Sequence, residues 1–269
     1  MTMAEKSAIL VVSFGTSYHD SREATIGAIE REIAETYPEY EVRRAFTSGM
    51  ILQKLETRDH IHIDNVQQAL DAAAEAGVTT LIVQPTHMMN GTEYHKLAGI
   101  VEENRARFRQ VAVGEPLLMS DRDFERVADA LGAATKDYID GGTAVCYMGH
   151  GTDAASNSVY ERLQRVLTSR GIRDEYVGTV EATPTLDDTI ALVRAGDYRR
   201  VVLMPLMVVA GDHANNDMAG EDGDSWKSRF EAAGYQVECV VHGLGELPSI
   251  RALYADHVRD AMDSLQEGR

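Results

Sequence analysis

The stretch Ile9-Leu10-Val11-Val12-Ser13-Phe14-Gly15-Thr16 returns in altered form as Thr143-Ala144-Val145-Cys146-Tyr147-Met148-Gly149-His150-Gly151-Thr152. Each is an apolar run that ends in a Gly-Thr turn, the pattern of a buried parallel strand passing into a loop. Gly15 falls on Gly151 at a step of 136 residues. Further along, Leu81-Ile82-Val83-Gln84-Pro85 matches Val201-Val202-Leu203-Met204-Pro205 and Gly91 matches Gly211, both at a step of 120. Two landmarks at one step indicate an internal duplication. Gly114-Glu115 and Gly245-Glu246 then close the two halves.

Around these landmarks, short apolar runs alternate with longer amphipathic stretches, as βα units feeding a parallel sheet do. The expected strands are 8–14, 41–45, 80–84, 110–113, 143–148, 176–180, 200–204 and 236–241. The expected helices are 21–36, 63–76, 92–108, 121–139, 156–169, 186–195, 222–233 and 249–265. The fold class is therefore α/β, with two similar doubly wound parallel-sheet lobes. A chain of 269 residues is long enough for both. The organisation expected is an N-terminal lobe over 1–120, a connecting helix over 121–139, a C-terminal lobe over 140–248 and a last helix over 249–269 packing back across the lobes.

Composition narrows the function. The 26 Lys and Arg against 43 Asp and Glu leave a net charge of −17, which disfavours nucleic acid and anionic membranes as partners. Cys146 and Cys239 are the two cysteines, each within an apolar run, so neither a disulfide framework nor a cysteine zinc site is expected. No apolar run reaches the roughly 18–20 residues of a membrane span. The start at Met1 shows no charged and apolar leader, so a cytoplasmic protein is expected, or a periplasmic one if an export signal preceded this start.

Ligands of open parallel sheets gather at the carboxyl ends of the strands, so the places where the halves differ there carry the chemistry. The first strand ends in Phe14 in one half and His150 in the other. The second sets Phe46 against Glu181, and the loop after the third sets Glu93 against His213 and His87 against Met207. The second half thus collects His150, Glu181 and His213. Two imidazoles and a carboxylate can hold a divalent first-row ion with coordination positions left open. The blander alternative is that His150 caps a helix start and His213 is a loop residue bonded to backbone. Neither a GxGxxG nor a GxxxxGK[ST] pattern accompanies the Gly149–Thr152 turn, which argues against a nucleotide, and no G-x-S-x-G elbow is present.

The sequence resembles the anaerobic cobalt chelatases of the sirohydrochlorin cobaltochelatase type, class II tetrapyrrole chelatases related in fold to ferrochelatase. The resemblance covers nearly the whole chain. It rests on Ala8–Ser17, Ala45-Phe46-Thr47-Ser48, Gln84-Pro85-Thr86-His87, Asn90–Leu97, Met148–Thr152, Val180–Pro184 and Met204–Met218. It implies that His150, Glu181 and His213 bind metal, that the tetrapyrrole sits in the cleft between two lobes, and that Co²⁺ enters sirohydrochlorin on the route to cobalamin. Fe²⁺ insertion to give sirohaem is the near rival, because one ligand set can bind either ion. A non-catalytic carrier of metal or tetrapyrrole is the rival of another class, and a two-lobed small-molecule receptor the blandest.

Within that frame His150 or His213 also accepts a pyrrole proton, Glu181 anchors the ion, and Glu93 faces the reaction from the other lobe or is a solvated helix acid. Sirohydrochlorin carries eight carboxylates, for which Arg43, Arg44, Lys54 and Lys96 are candidate partners against a reading as surface charges. Phe14 and Phe46 are candidates to pack on the macrocycle or simply to line the core. Some exported members of the family are oligomers that bind haem, and His95 would be the axial ligand. Without a visible export signal, a surface or subunit-contact histidine is preferred there, and a homo-oligomer stays open.

Overall fold

The computed structural model describes residues 6–267, so the start on which the export expectation rests, and the last two residues of the expected C-terminal helix, lie outside it. The chain divides into two compact units, Met1–Met119 with Arg251–Arg269 and Ser120–Ile250. Each contains one four-stranded, wholly parallel sheet.

In the first unit, strands β1 (Lys6–Ser13), β2 (Glu41–Phe46), β3 (Val78–Pro85) and β4 (Gln110–Val113) lie in the order β2-β1-β3-β4. Side chains alternate across a strand, and here both faces are apolar. Ala8, Leu10, Val12, Leu81 and Val83 pack with Val66, Leu70, Leu97 and Val101 from helices α4 (Val66–Glu75) and α5 (Thr92–Glu103). Ile9, Val11 and Ile82 are equally buried on the alternate positions, as a parallel sheet covered on both faces requires.

The expected helix 21–36 is two helices, α1 (His19–Ala24) and α2 (Ile26–Thr36). At the break, the Thr25 hydroxyl donates to the Ser21 carbonyl at 2.5 Å, and the backbone of Thr25 stands at φ −111° and ψ −79°; such back-bonding often bends helices. Helix α3 (Gly49–Lys54) and the π turn Leu55–Asp59 had no counterpart among the expected helices. Their buried face is Leu55 alone, and Met50 is exposed, so no apolar stripe marks them. Asn104 and a 3₁₀ turn, Arg105–Arg107, end the expected helix 92–108 early.

In the second unit, β5 (Thr143–Gly149), β6 (Glu175–Thr179), β7 (Arg200–Pro205) and β8 (Gln236–Cys239) repeat the arrangement as β6-β5-β7-β8. Helices α6 (Asp121–Thr135), α7 (Ser158–Ser169), α8 (Leu186–Arg194) and α9 (Trp226–Ala232) cover it. Ala144, Cys146, Met148, Val201 and Leu203 pack against Ile190, Val193, Trp226 and Phe230. Ser120 and Thr185 open α6 and α8 with capping boxes completed by Asp123 and Asp188. Helix α10 (Pro248–Glu267) belongs to the first unit from Arg251 onward, where the Tyr254 hydroxyl donates to the Thr86 carbonyl and Tyr37 donates to that of Ala255. Among the described residues, no helix is long and apolar enough to cross a membrane.

The duplicated glycines do the same work in both units. Gly15 and Gly151 follow the central strands at φ of 100° and 87°, a region that favours residues without a Cβ. Cys146 is free and buried, and Cys239 is free but only half buried, at the end of an edge strand.

Candidate metal centre

Strand β5 is central in its sheet, so its end is flanked on both sides. The ladder to β6 runs on past the named strands: Val180 N–H donates to the Gly149 carbonyl, and Glu181 N–H to that of His150, each at 2.9 Å. This sets Glu181 beside His150. On the other side, Leu206 N–H donates to the Met148 carbonyl, and the chain leaving β7 reaches His213, the residue that opens a π turn over Ala214–Met218.

His150, Glu181 and His213 offer one ligand atom each, all within 4.8 Å of one another. Glu181 Oε2 lies 3.6 Å from His150 Nδ1. The two imidazole rings meet edge to face with centroids 4.6 Å apart. In a site with bonds of about 2.1 Å, tetrahedral ligand atoms stand about 3.4 Å apart, so modest side-chain rotation closes the trio on an ion. About half of the His150 and Glu181 side chains and a third of that of His213 remain exposed. A structural site would be enclosed; this one leaves room for an incoming ligand.

Neighbours hold both rings by Nδ1. That of His150 is 2.9 Å from the Gly151 carbonyl, and that of His213 is 2.7 Å from Asp217 Oδ2. Beneath the His150 turn, Tyr160 of α7 is buried and its hydroxyl accepts from Gly151 N–H at 3.2 Å. A Cβ on Gly149 would overlap the Tyr160 ring, and one on Gly151 would lie 2.8 Å from Ala182 N. Two glycines thus let β5 and its turn pass between Tyr160 and the Glu181 loop. Sequence reasoning assigned no role to Tyr160 or Asp217. The latter had a signal in the His213-Ala214-Asn215-Asn216-Asp217 spacing, since residues four apart face one another on a turn.

The first unit places the corresponding residues differently. Phe14 is 49% exposed at the end of β1. Phe46, its proposed companion on the macrocycle, is fully buried, and a Cβ on Gly15 would stand 2.5 Å from its ring. Of the two readings of Phe46, ligand contact and core, its burial under the Gly15 turn fits the core one. Arg44 is likewise engaged, with Nε and a terminal nitrogen on the two oxygens of Glu30 at 2.8 and 2.6 Å. That bidentate bond holds the guanidinium pKa above its ordinary value and occupies one edge of its planar fork, so the structure places Arg44 in an ion pair with Glu30. Arg43 pairs with Glu41.

Glu93, in the first turn of α5, receives Lys96 Nζ at 2.7 Å. Burial holds the His87 imidazole down at about 4, against the opposing charge of Glu93, and both its ring nitrogens are buried without a hydrogen-bond partner. His95 is exposed on α5, its ring 6.0 Å from that of Tyr94.

Known proteins share both the sequence and the fold. A sirohydrochlorin cobaltochelatase of Salmonella typhimurium is 43% identical over 262 residues, covering 97% of this chain and 98% of that protein. The sirohydrochlorin cobaltochelatase CbiKC of Nitratidesulfovibrio vulgaris is 35% identical over 264 residues, covering 97% and 93%. Among solved structures, SirB from Bacillus subtilis with Fe³⁺ superposes with a TM-score of 0.69 at 15% identity over 98% of both chains. A model of the cobalt chelatase (CbiK) family matches residues 7–263, and the chain belongs to that family.

Proposed function

We propose that this protein is a sirohydrochlorin cobaltochelatase, taking Co²⁺ and sirohydrochlorin as substrates and releasing two protons with the metalated macrocycle. The observation that carries this reading is the convergence of His150, Glu181 and His213 from three strand-end loops, in a chain of the cobalt chelatase family.

The chemistry is an exchange of ligands. Imidazole and carboxylate hold a borderline divalent ion without the tenacity of thiolate, so Co²⁺ can be bound and then surrendered to four pyrrole nitrogens. Glu181 supplies the charge that anchors the ion. His150 and His213 regain bare nitrogens as the ion leaves, and a bare imidazole nitrogen can receive a pyrrole proton. The exposure of the trio leaves the ion open to the incoming macrocycle. In the first unit, Phe14 presents its ring for apolar contact, and Glu93 is an acid at the loop that corresponds to His213.

The test follows visible absorbance of purified protein with sirohydrochlorin and either Co²⁺ or Fe²⁺, beside a His150→Ala variant. Catalytic spectral change that the variant loses supports the reading, and the relative rates rank the metals. Stoichiometric binding without turnover by the intact protein would replace the enzyme with a carrier.

A further inference from the structure

An imidazole on a loop can turn about its ring bond and can present either nitrogen to a metal, depending on its tautomer. For His150 the backbone removes this freedom, through the Gly151 carbonyl 2.9 Å from Nδ1. For His213 a single side chain does so: Asp217 Oδ2, 2.7 Å from Nδ1. The turn that carries the pair is itself fixed. Ala219 N–H donates to the Ala214 carbonyl at 3.2 Å, Ala214 and Met218 are fully buried, and Asn215 Nδ2 donates to the Gly211 carbonyl at 2.7 Å. A Cβ on Gly220 would overlap the Asn216 carbonyl oxygen, so glycine there allows the turn to close. Single π turns of this kind occur often at functional sites.

We propose that Asp217 is the positioning residue of the metal centre. Its carboxylate accepts the Nδ1–H of His213, which sets the tautomer, holds the ring against rotation and leaves Nε2 as the bare nitrogen for Co²⁺. The carboxylate also makes the imidazole a stronger donor to the ion, as outer partners of metal-bound histidines do. The two histidines are therefore unequal: the orientation of one is built into the backbone, and that of the other depends on a replaceable side chain. This inference rests on the trio being the site of Co²⁺ binding.

The test is Co²⁺ titration of the full chain without tetrapyrrole, read by the visible bands of the bound ion and by calorimetry, for wild type, Asp217→Ala, Asp217→Asn and His213→Ala. Thermal melting of the metal-free proteins runs alongside. The expected result is a Co²⁺ affinity about 10- to 100-fold lower in Asp217→Ala, with altered bands and an unchanged metal-free melting temperature. Asp217→Asn, whose amide oxygen can still accept Nδ1–H, should recover part of the loss. Wild-type affinity in Asp217→Ala, with or without a lower melting temperature, overturns the proposal provided that His213→Ala has lost the ion. If His213→Ala also binds as wild type does, the metal trio itself falls, and the positioning role with it.

Discussion

Glu175 begins β6 with its side chain almost fully buried, accepting hydrogen bonds from the Thr135 hydroxyl at 2.5 Å and the Tyr147 hydroxyl at 2.8 Å. Burial raises its pKa above the ordinary carboxylate value, and the two hydroxyls offset this only in part. The folded state thus keeps a proton that the unfolded chain has already released. Between the unfolded and folded pKa values, the stability of the wild type should fall as pH rises, by up to about 1.4 kcal/mol per pH unit for this one proton. Its contribution is fully present below the unfolded value and lost above the folded one. Glu175→Gln removes the titration and can keep the network, its amide oxygen accepting from Tyr147 and its nitrogen donating to Thr135, whose hydroxyl is also 3.0 Å from the Leu131 carbonyl. The assay is urea denaturation of both proteins from pH 4 to 8, taking the difference in unfolding free energy at each pH. That difference should shift in favour of the variant as pH rises, then level off. A flat difference, or one shifting toward the wild type, would refute the claim that burial dominates at this carboxylate.

Phe46→Ala should destabilise the protein by about 3–5 kcal/mol in urea denaturation, because a fully buried ring is lost. Phe14→Ala should leave stability within about 0.5 kcal/mol yet weaken sirohydrochlorin binding in a fluorescence titration; equal effects from the two variants would contradict the assignment of one to core and the other to ligand. Gly149→Ala should cost about 1–3 kcal/mol in thermal denaturation, the usual range for overpacking, since the added methyl overlaps Tyr160. As Tyr160 also holds the Gly151 amide, the same variant should bind Co²⁺ less tightly.

The sheets were legible because buried parallel strands are written as apolar runs between turn residues, and because the chain states its punctuation twice. The trio was reached the same way, by comparing the halves at strand ends, a comparison that needs no local spacing motif. What escaped was decided by packing. Nothing in Ala45-Phe46-Thr47 tells a core ring from an exposed one; the difference is that Gly15 brings the backbone down upon it. Arg44 reads as a free cation until α2 folds Glu30 against it. The helix over 49–54 has too small an apolar face to show in its periodicity, and the break at Thr25 depends on one hydroxyl choosing a backbone carbonyl.

His150, Glu181 and His213 lie roughly thirty residues apart in sequence and meet only when β5, β6 and β7 are paired. An unfolded chain would have to close two long loops to reproduce them, so a Co²⁺ ion held by the trio, as proposed, would bind the folded state almost exclusively. By mass action, free ion at 100 times its dissociation constant would add about 2.7 kcal/mol to the stability of the fold. Each turnover that hands the ion to a macrocycle would remove that increment until another ion arrives. On that proposal the scaffold would alternate between a tighter and a looser condition as it works, and cobalt supply would become a factor in how long the protein survives heat or proteolysis.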